Sequence, residues 1–209
     1  MLRELQFGSC YVYSPQGACA ASVRSRMARA LLKSGDIAFL LEFARIVQRR
    51  AGKGCLLSVL FEDGPVLVPI PGATPRVAET PWIAERLCFA LLSHGLGRTI
   101  WTGLRRSSAV QKSGTAPPAR RPSALTHYNS LSVDTGAFSA DRILLVDDVV
   151  TKGRTLIAAA TRVNQAFPHA RIGAFAFVRT MGLVPDVGRL IEPCVGRIRW
   201  EGGDARRTP

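Results

Sequence analysis

The sequence predicts an α/β fold in which helices flank a parallel β-sheet, because short apolar runs alternate with stretches of helical periodicity. The clearest run, from Ile143 to Val146, is apolar without alternation, as is typical of a strand buried on both faces. Two acidic residues and a glycine-containing turn follow it, and residues 156–167 then carry apolar side chains at helical spacing. A strand that leads through a short loop into a helix is the repeating unit of a parallel sheet.

The first 60 residues are expected to be largely helical. Residues 9–14 predict a short strand, whereas residues 22–32 and 37–49 each carry an apolar stripe at helical spacing. Between these two helices, Gly35 suits the position just after a helix and Asp36 suits an N-cap. Because the helices precede the first clear core strand, we expect residues 1–60 to form a helical cap, or hood, over the carboxyl ends of the strands.

The predicted core spans residues 61–200. Strands are predicted at residues 65–71, 99–102, 131–133, 143–146 and 171–178, and a helix at residues 81–93. Residues 103–127 show no hydrophobic periodicity and contain many Ser, Pro and Gly residues, and so long a loop in a compact domain is usually functional or disordered. We expect residues 201–209 to form a disordered tail.

Composition excludes several classes of protein. The chain has 209 residues, of which 47% are hydrophobic, as expected for a globular protein rather than a disordered one. We expect a cytoplasmic protein without a membrane partner, because no apolar run is long enough to span a bilayer and the amino terminus does not resemble a signal peptide. The five cysteines are scattered and form no C-x-x-C pair, which argues against a zinc site or a disulfide framework.

The net charge of +13 is unevenly distributed along the chain. From Arg86 to Val133 the sequence contains no Asp or Glu. The basic residues of this acid-free stretch are Arg86, Arg98, Arg105, Arg106, Lys112, Arg120 and Arg121. Such a stretch attracts polyanions, either pyrophosphate or nucleic acid, although a solvated arginine-rich surface has the same composition.

Residues 147–155 combine the groups that a sugar phosphate needs. Asp147 and Asp148 come at the carboxyl end of the predicted strand, where open α/β sheets bind ligands, and carboxylates accept hydrogen bonds from a diol or hold Mg²⁺ through water. Gly153 allows a close backbone approach or a positive φ, and the helix N-terminus that follows favours an anion. Further donors come from Thr151, Lys152, Arg154 and Thr155. These features predict a ribose 5-phosphate site, although an ordinary strand with surface acids and a capped helix shows the same pattern.

Residues 142–155, R-I-L-L-V-D-D-V-V-T-K-G-R-T, resemble the motif by which type I phosphoribosyltransferases bind phosphoribosyl pyrophosphate (PRPP). That motif has four apolar residues, two acids, two apolar residues and a Thr/Gly-rich phosphate loop that ends in Thr. Lys152 departs from it, because the family usually has a small or hydroxyl residue there. The V-P-I-P and L-K-S-G-D segments are similar to the ComF-like, competence-associated branch, as is the spacing of Arg105, Gln111, Arg121 and Asn129. The cysteine zinc module and the R-G-x-N segment of that branch are absent.

The resemblance implies a type I phosphoribosyltransferase-like sheet and a Mg²⁺-dependent transfer of phosphoribosyl from PRPP to a nitrogenous acceptor, with release of pyrophosphate. Asp147 and Asp148 would hold the ribose diol, with Mg²⁺ nearby through PRPP and water, and residues 151–155 would hold the 5-phosphate. A pyrophosphate loop, often with a non-proline cis peptide in this family, would comprise Ile70, Pro71, Gly72 and Arg76. Residues 103–127 would form a mobile catalytic loop, with Arg105, Arg106 and Lys112 stabilising the departing pyrophosphate.

A second interpretation is a non-catalytic PRPP-binding protein that associates with DNA in its uptake, processing or regulation. The acidic pair and the long loop favour the enzyme, whereas the charge of +13 and the acid-free stretch favour the nucleic-acid role. No recognition helix, zinc finger or RNA-binding signature supports sequence-specific reading. The partners to test are therefore PRPP, an unidentified acceptor base, single-stranded DNA bound non-specifically, and a second copy of the chain in a homodimer.

Overall fold

The structure is a computed structural model that describes residues 1–77, 81–112, 121–182 and 184–209. Its strands are β1 (Glu4–Tyr13), β2 (Val66–Pro69), β3 (Thr99–Ile100), β4 (Leu104–Arg106), β5 (Leu131–Val133), β6 (Arg142–Val150), β7 (Arg171–Thr180), β8 (Ile191–Glu201) and β9 (Asp204–Thr208). Its helices are α1 (Ala20–Ser34), α2 (Ile37–Ala51), α3 (Ser58–Phe61), α4 (Ile83–Ser93), α5 (Ala124–Asn129) and α6 (Arg154–Ala166).

The described residues confirm the predicted α/β class. They form one seven-stranded sheet in the order β3-β2-β6-β7-β1-β8-β9, and β4 and β5 pair separately as a two-stranded antiparallel ribbon. The pairs from β3 to β1 are parallel, whereas β8 and β9 join antiparallel at one edge. Because the parallel strands share one direction, the carboxyl ends of β2, β6, β7 and β1 meet at a single edge of the sheet.

Helices cover both faces of the sheet, since each central strand carries buried apolar side chains on both sides. On one face, Phe43 of α2 packs against Phe175 and Phe177 of β7, in a cluster that includes Leu87 of α4. On the opposite face, α6 buries a continuous apolar surface against residues such as Leu145 of β6. These two cores fix β6 from both sides and leave its carboxyl end as the place where polar side chains collect.

The amino-terminal residues differ from the expected cap. Residues 4–13 form β1, which lies between β7 and β8 inside the sheet, and α2 packs flat on the sheet face. The physical reason is that β1 is buried on both sides, with Phe7 in one core and Tyr11 in the other. The end of α1 contacts Asp148, near the carboxyl end of β6, through Lys33. Gly35 ends this helix with a φ of 71° and Asp36 caps α2, as predicted.

The carboxyl-terminal residues also differ from the expected disordered tail. Residues 204–208 form β9, which pairs with β8 through residues 197–201. Gly202 and Gly203 have φ values of 58° and 81° and form the turn, which is the conformation that a tight hairpin requires. Two consecutive glycines between two segments of alternating buried and exposed residues are the sequence pattern of such a hairpin. Ile198 on β8 and Ala205 on β9 bury their side chains in the core.

The remaining predicted elements agree in type with the structure, but the structure also contains α3, β4, α5 and β8, which were not predicted. Strand β6 continues through both acids to Val150, so Asp147 lies within the strand opposite Ala176. The region predicted as loop, residues 103–127, contributes β4 and the start of α5, and residues 113–120 of it lie outside the described residues. Within the described parts of the chain, no helix combines the length and the apolar content needed to cross a bilayer.

Candidate ribose-phosphate site

The acidic pair lies near the carboxyl end of β6, next to the amino end of α6. The backbone N–H of Asp148 donates to Oδ1 of Asp147 at 2.8 Å, which turns that carboxylate along the strand. Nζ of Lys33, at the end of α1, forms an ion pair with Oδ2 of Asp148. Lys33 belongs to the L-K-S-G-D segment noted in the sequence, so the structure brings two separate motifs of the chain to one place.

The environment of Asp147 disfavours the charged form of its side chain. Burial, and then the negative charge of Asp148, raise the pKa of Asp147 well above its usual range. The N–H of Asp148 and the charge of Lys33 act in the opposite direction. A nearby cation or hydroxyl donor would stabilise the charged form of Asp147, because either one offsets the cost of burying the negative charge.

Gly153 shapes the loop between β6 and α6. It has a φ of 84°, and a Cβ added there would lie only 2.5 Å from Cδ1 of Ile198 on β8. Both the backbone conformation and the close approach of β8 therefore require glycine at this position. As a result, the loop curls tightly into α6 and exposes Thr151 and Lys152 at its outer side.

The cationic residues of the loop are already paired with an acid that the sequence analysis did not identify. Nε and Nη2 of Arg154 donate to Oδ1 and Oδ2 of Asp204, each at 2.5 Å. Nζ of Lys152 lies 3.3 Å from the same carboxylate. These contacts lower the pKa of Asp204 to about 2, with the hydrogen bond from Arg154 as the largest cause. The β8–β9 hairpin therefore forms one wall of the predicted phosphate loop.

Thr155, the last residue of the motif, contacts a buried histidine. Its Oγ1 lies 3.3 Å from Nε2 of His127, which is 4% exposed and lies two residues before the end of α5. Burial, and then the charges of Arg106 and Arg154, lower the pKa of His127 to about 4. The imidazole is thus neutral at physiological pH, so it acts at the loop through hydrogen bonding rather than as a cation.

The predicted pyrophosphate loop is held in place by Arg106. This side chain is 5% exposed, and its Nε donates to the carbonyl oxygen of Gly72 at 2.9 Å, with Nη2 at 3.5 Å from that of Pro71. Burial lowers the pKa of Arg106 to about 10, against the opposing effect of Asp147. On the other side of the loop, Nε1 of Trp82 donates to the carbonyl of Ile70 at 2.7 Å.

The other basic residues predicted to contact pyrophosphate are Arg76, Arg105 and Lys112, and they are more exposed than Arg106. Arg76 stacks over Trp82 and forms an ion pair of 3.1 Å with Glu85, so its guanidinium lies against α4. Arg105 is exposed and lies 3.3 Å from Asp134, and Lys112 is exposed. No cis peptide bond occurs in the described residues, which include the whole of residues 69–73, so the cis peptide that the resemblance implies is absent there.

The donor chemistry of the site fits Mg²⁺ as a partner of a bound phosphate ligand. Mg²⁺ prefers oxygen ligands and is usually held by one or two carboxylates together with substrate phosphates and water. Asp147 and Asp148 supply two carboxylates side by side on β6. Among the described residues, no group of three or more His, Cys, Asp or Glu is arranged to hold a metal ion.

Comparison with known proteins gives structural similarities only. An adenine phosphoribosyltransferase matches this chain with 17% identity and a TM-score of 0.40, over 72% of this chain and 73% of that one. A hypoxanthine phosphoribosyltransferase from Staphylococcus aureus matches with 8% identity and a TM-score of 0.37, over 72% of this chain and 68% of that one. No family model and no curated protein matches the sequence. We therefore base the function on the residues of the chain itself.

Sequence reasoning missed several residues that complete the site. Lys33, Asp204 and His127 come from α1, β9 and α5, and each contacts a residue of the motif on β6 or α6. The two glycines of the hairpin are a local signal for β9. No local pattern predicts that Asp204 faces the loop between β6 and α6. Arg106, for which the resemblance implies a contact with the departing pyrophosphate, is buried and donates to the carbonyl of Gly72, with its Nη2 3.5 Å from the carbonyl oxygen of Pro71.

Proposed function

We propose that this chain binds PRPP and transfers its phosphoribosyl group to a nitrogenous acceptor, releasing pyrophosphate. The observation that carries the proposal is the placement of the acidic pair on β6 directly before a tightly curled loop and the N-terminus of α6. A diol-binding carboxylate pair and an anion-binding helix end are thus separated only by residues 149–153. This spacing fits the ribose and the 5-phosphate of one sugar phosphate.

The reaction requires little covalent chemistry from the protein. The bond between C1 of the ribose and the pyrophosphate oxygen breaks, the oxygen keeps the electron pair, and an acceptor nitrogen forms the new bond to C1 and loses its proton. Because positive charge develops on the sugar ring, the catalytic contribution is positioning and charge stabilisation. Mg²⁺, when bound with PRPP, would neutralise charge on the pyrophosphate next to Asp147 and Asp148.

Each part of the chain has a role in this proposal. Asp147 and Asp148 accept hydrogen bonds from the ribose hydroxyls, and the backbone N–H groups at residues 151–155 bind the 5-phosphate. Arg106 fixes the carbonyls of Pro71 and Gly72, and so orients the backbone of the loop that faces pyrophosphate. Lys33 forms an ion pair with Asp148 and so joins the end of α1 to the acidic pair. From the expected hood we retain one part as a proposal: the acceptor base would approach near the start of α2.

The test is calorimetric titration of Mg-PRPP into the wild-type chain and into the Asp147→Asn/Asp148→Asn variant. Losing the charge of a carboxylate that accepts hydrogen bonds should weaken binding at least about tenfold. Asn is close in size to Asp, so circular dichroism should show the same fold. Equal affinity of the two proteins would refute the proposal.

Asp63→Asn is a matched control. Asp63 is exposed, has a φ of 58° that Asn tolerates, and lies 3.7 Å from Arg142 at the opposite end of β6. Its substitution should leave PRPP affinity unchanged. A panel of nitrogenous bases with pyrophosphate detection then separates the enzyme from the non-catalytic alternative: tight Mg-PRPP binding with no pyrophosphate release for any base would favour the latter.

A further inference from the structure

The outward face of α1 carries large apolar side chains, whereas its inward face carries mostly small ones. Toward β1, the helix buries Ala21, Ser22, Ser25, Ala28 and Leu32. Toward solvent, it exposes an apolar row that consists of Val23, Met27 and Leu31, with Met27 61% exposed. A surface helix normally turns its larger apolar side chains toward the core. The arrangement therefore indicates that α1 has a second packing surface.

The apolar row lies on an uncharged face of α1. Its members are four residues apart and so share one side of the helix, which turns by about 100° per residue. Three smaller exposed residues fall beside the row, namely Ala20, Ala30 and Ser34. Arg24 and Lys33 are nine residues apart, which places them on opposite flanks of the helix. Between these flanks, the outward face of α1 carries no charged residue, and the structure describes the whole of this helix.

The basic residues of α1 are held by contacts within the molecule. Nε of Arg24 donates to a backbone carbonyl of its own helix, and Nη1 of Arg26 donates at 2.7 Å to a backbone carbonyl of the segment before α1. The guanidinium of Arg29 lies 5.1 Å from the ring centroid of Tyr13, and Lys33 forms its ion pair at the acidic pair. An acidic partner would have to compete with these contacts. The outward face of α1 therefore offers mainly apolar contact.

The apolar row differs from a singly exposed apolar residue, which is common on protein surfaces. On α4, for example, Phe89 is 57% exposed, but the other exposed residues of that helix are Arg86 and Ser93. After α1, by contrast, exposed apolar residues continue across the turn, because Ile37 and Leu41 are exposed at the start of α2. Five large apolar side chains are thus exposed within two consecutive helices.

We infer that the outward face of α1 packs against the same face of a second copy of this chain. Because each copy has a net charge of +13, an uncharged face lets two copies meet without burying like charges. A two-fold axis at Met27 would cross the two α1 helices antiparallel, with Val23 against the partner's Leu31. Side-chain rows at i±4 spacing interdigitate in the commonest class of helix packing, and the small residues beside the row permit a close approach.

The size of the outward face predicts a weak dimer. The apolar row spans about 12 Å at about 1.5 Å per residue. A stable interface buries about 800 Å² on each partner, and a helix pair of this length is smaller than that, so we expect a dimer only at high protein concentration. Association should tighten as salt rises, because salt screens the repulsion between two cationic copies. An acidic protein or an anionic lipid surface would bind with the opposite salt dependence.

Sedimentation equilibrium over a concentration series, at low and at high salt, tests the inference in the full chain. Met27→Lys keeps a long side chain with similar helix propensity, so α1 should still fold. It also places two like charges at the two-fold axis, so the dimer dissociation constant should rise at least about tenfold. Phe89→Lys is the matched control, because it adds the same charge at an exposed apolar residue of α4. Its dissociation constant should stay within about twofold of wild type.

Paired substitutions test the antiparallel geometry. Val23→Lys and Leu31→Glu should each weaken the dimer, because each places an unpaired charge in an apolar contact. In the double variant, charges of opposite sign would meet across the two-fold axis, so the dissociation constant should return toward that of wild type. A double variant that associates no more tightly than either single variant would overturn the antiparallel packing.

The inference is independent of the proposed function, and its outcomes are distinct. It is wrong if wild type stays monomeric at every concentration and salt, if Met27→Lys associates as tightly as wild type, or if association weakens as salt rises. A monomeric chain that co-sediments with vesicles of phosphatidylglycerol and phosphatidylcholine would assign the face to a lipid surface and would also overturn the inference. A dimer that does not bind Mg-PRPP leaves the inference standing and the proposed function refuted, and a monomer that binds Mg-PRPP does the reverse.

Discussion

Substitution of Asp204 by Asn tests how strongly the carboxyl-terminal hairpin is coupled to the phosphate loop. Asn keeps the shape of Asp204 but removes the charge that Arg154 and Lys152 share. We expect Asp204→Asn to lower the free energy of unfolding by about 1 kcal/mol at neutral pH. Because about 1 kcal/mol moves the midpoint by roughly 2–4 °C in a chain of this size, thermal denaturation can detect the change.

The magnitude follows from the pKa of Asp204. Folding lowers it from 3.8 to about 2, which corresponds to about 2.4 kcal/mol at about 1.36 kcal/mol per pKa unit. The side chain is 35% exposed, however, so solvent screens the ion pairs and reduces this value by roughly half. The bidentate geometry with Arg154, at 2.5 Å for each contact, keeps it above the contribution of an ordinary surface pair.

The pH dependence has a definite sign. A carboxyl whose pKa is lowered by folding contributes its full stabilisation above the unfolded value and loses it as the pH falls through the folded value. The difference in free energy of unfolding between wild type and Asp204→Asn should therefore be the same at pH 5 and pH 7. It should shrink only between about pH 4 and about pH 2. Urea denaturation at pH 5 and pH 7 measures the difference without reaching that window.

Because Arg154 also donates to the carbonyls of Arg121 and Pro122, a single substitution of Arg154 removes more than its ion pair with Asp204. A double-mutant cycle of Asp204→Asn with Arg154→Gln isolates the contribution of that ion pair. The two substitutions should show a coupling energy of about 1 kcal/mol. Glu201→Gln is the control, since the carboxylate of Glu201 lies 3.8 Å from the exposed Arg206. Strictly additive effects of Asp204→Asn and Arg154→Gln would refute the reasoning, as would an equal effect of Glu201→Gln.

Two further predictions concern acid stability and nucleic acid. Burial lowers the pKa of His127 from 6.5 to about 4, so between these pH values the imidazole is protonated in the unfolded chain but neutral in the folded one. The free energy of unfolding should therefore fall by up to about 3 kcal/mol as the pH falls from 6.5 to 4. Urea titrations should show a shallower decline over that range in His127→Gln, and an identical decline would contradict the prediction. Binding of single-stranded DNA should be weak, because Arg106 is buried, Arg105 is paired with Asp134, and Arg86 donates to the carbonyl of Gly35. What binding there is should weaken as salt rises, because it rests on counterion release. Fluorescence anisotropy at low and physiological salt measures this, and salt-insensitive or sequence-selective binding would favour the DNA-associated alternative.

The sequence by itself determined the elements whose pattern is local. The apolar run at residues 143–146 predicts a doubly buried strand, and the helical spacing after it predicts α6, because both depend on side chains close together in the chain. The same holds for the ends of α1 and α2, where Gly35 and Asp36 act within one turn. The acidic pair and the glycine loop were recognised for the same reason, since they are adjacent in sequence.

Only the tertiary structure decided which distant residues meet this motif. Strand β1 enters the sheet between β7 and β8, and that pairing depends on long-range packing rather than on the periodicity of residues 4–13. The same packing brings Lys33 to Asp148 and turns Asp204 toward Arg154. Residue spacing along the chain holds no information on such contacts. The burial of Arg106, and of the Arg207 N–H groups that lack a partner among the described residues, exists only once the β-sheet and its helices have assembled.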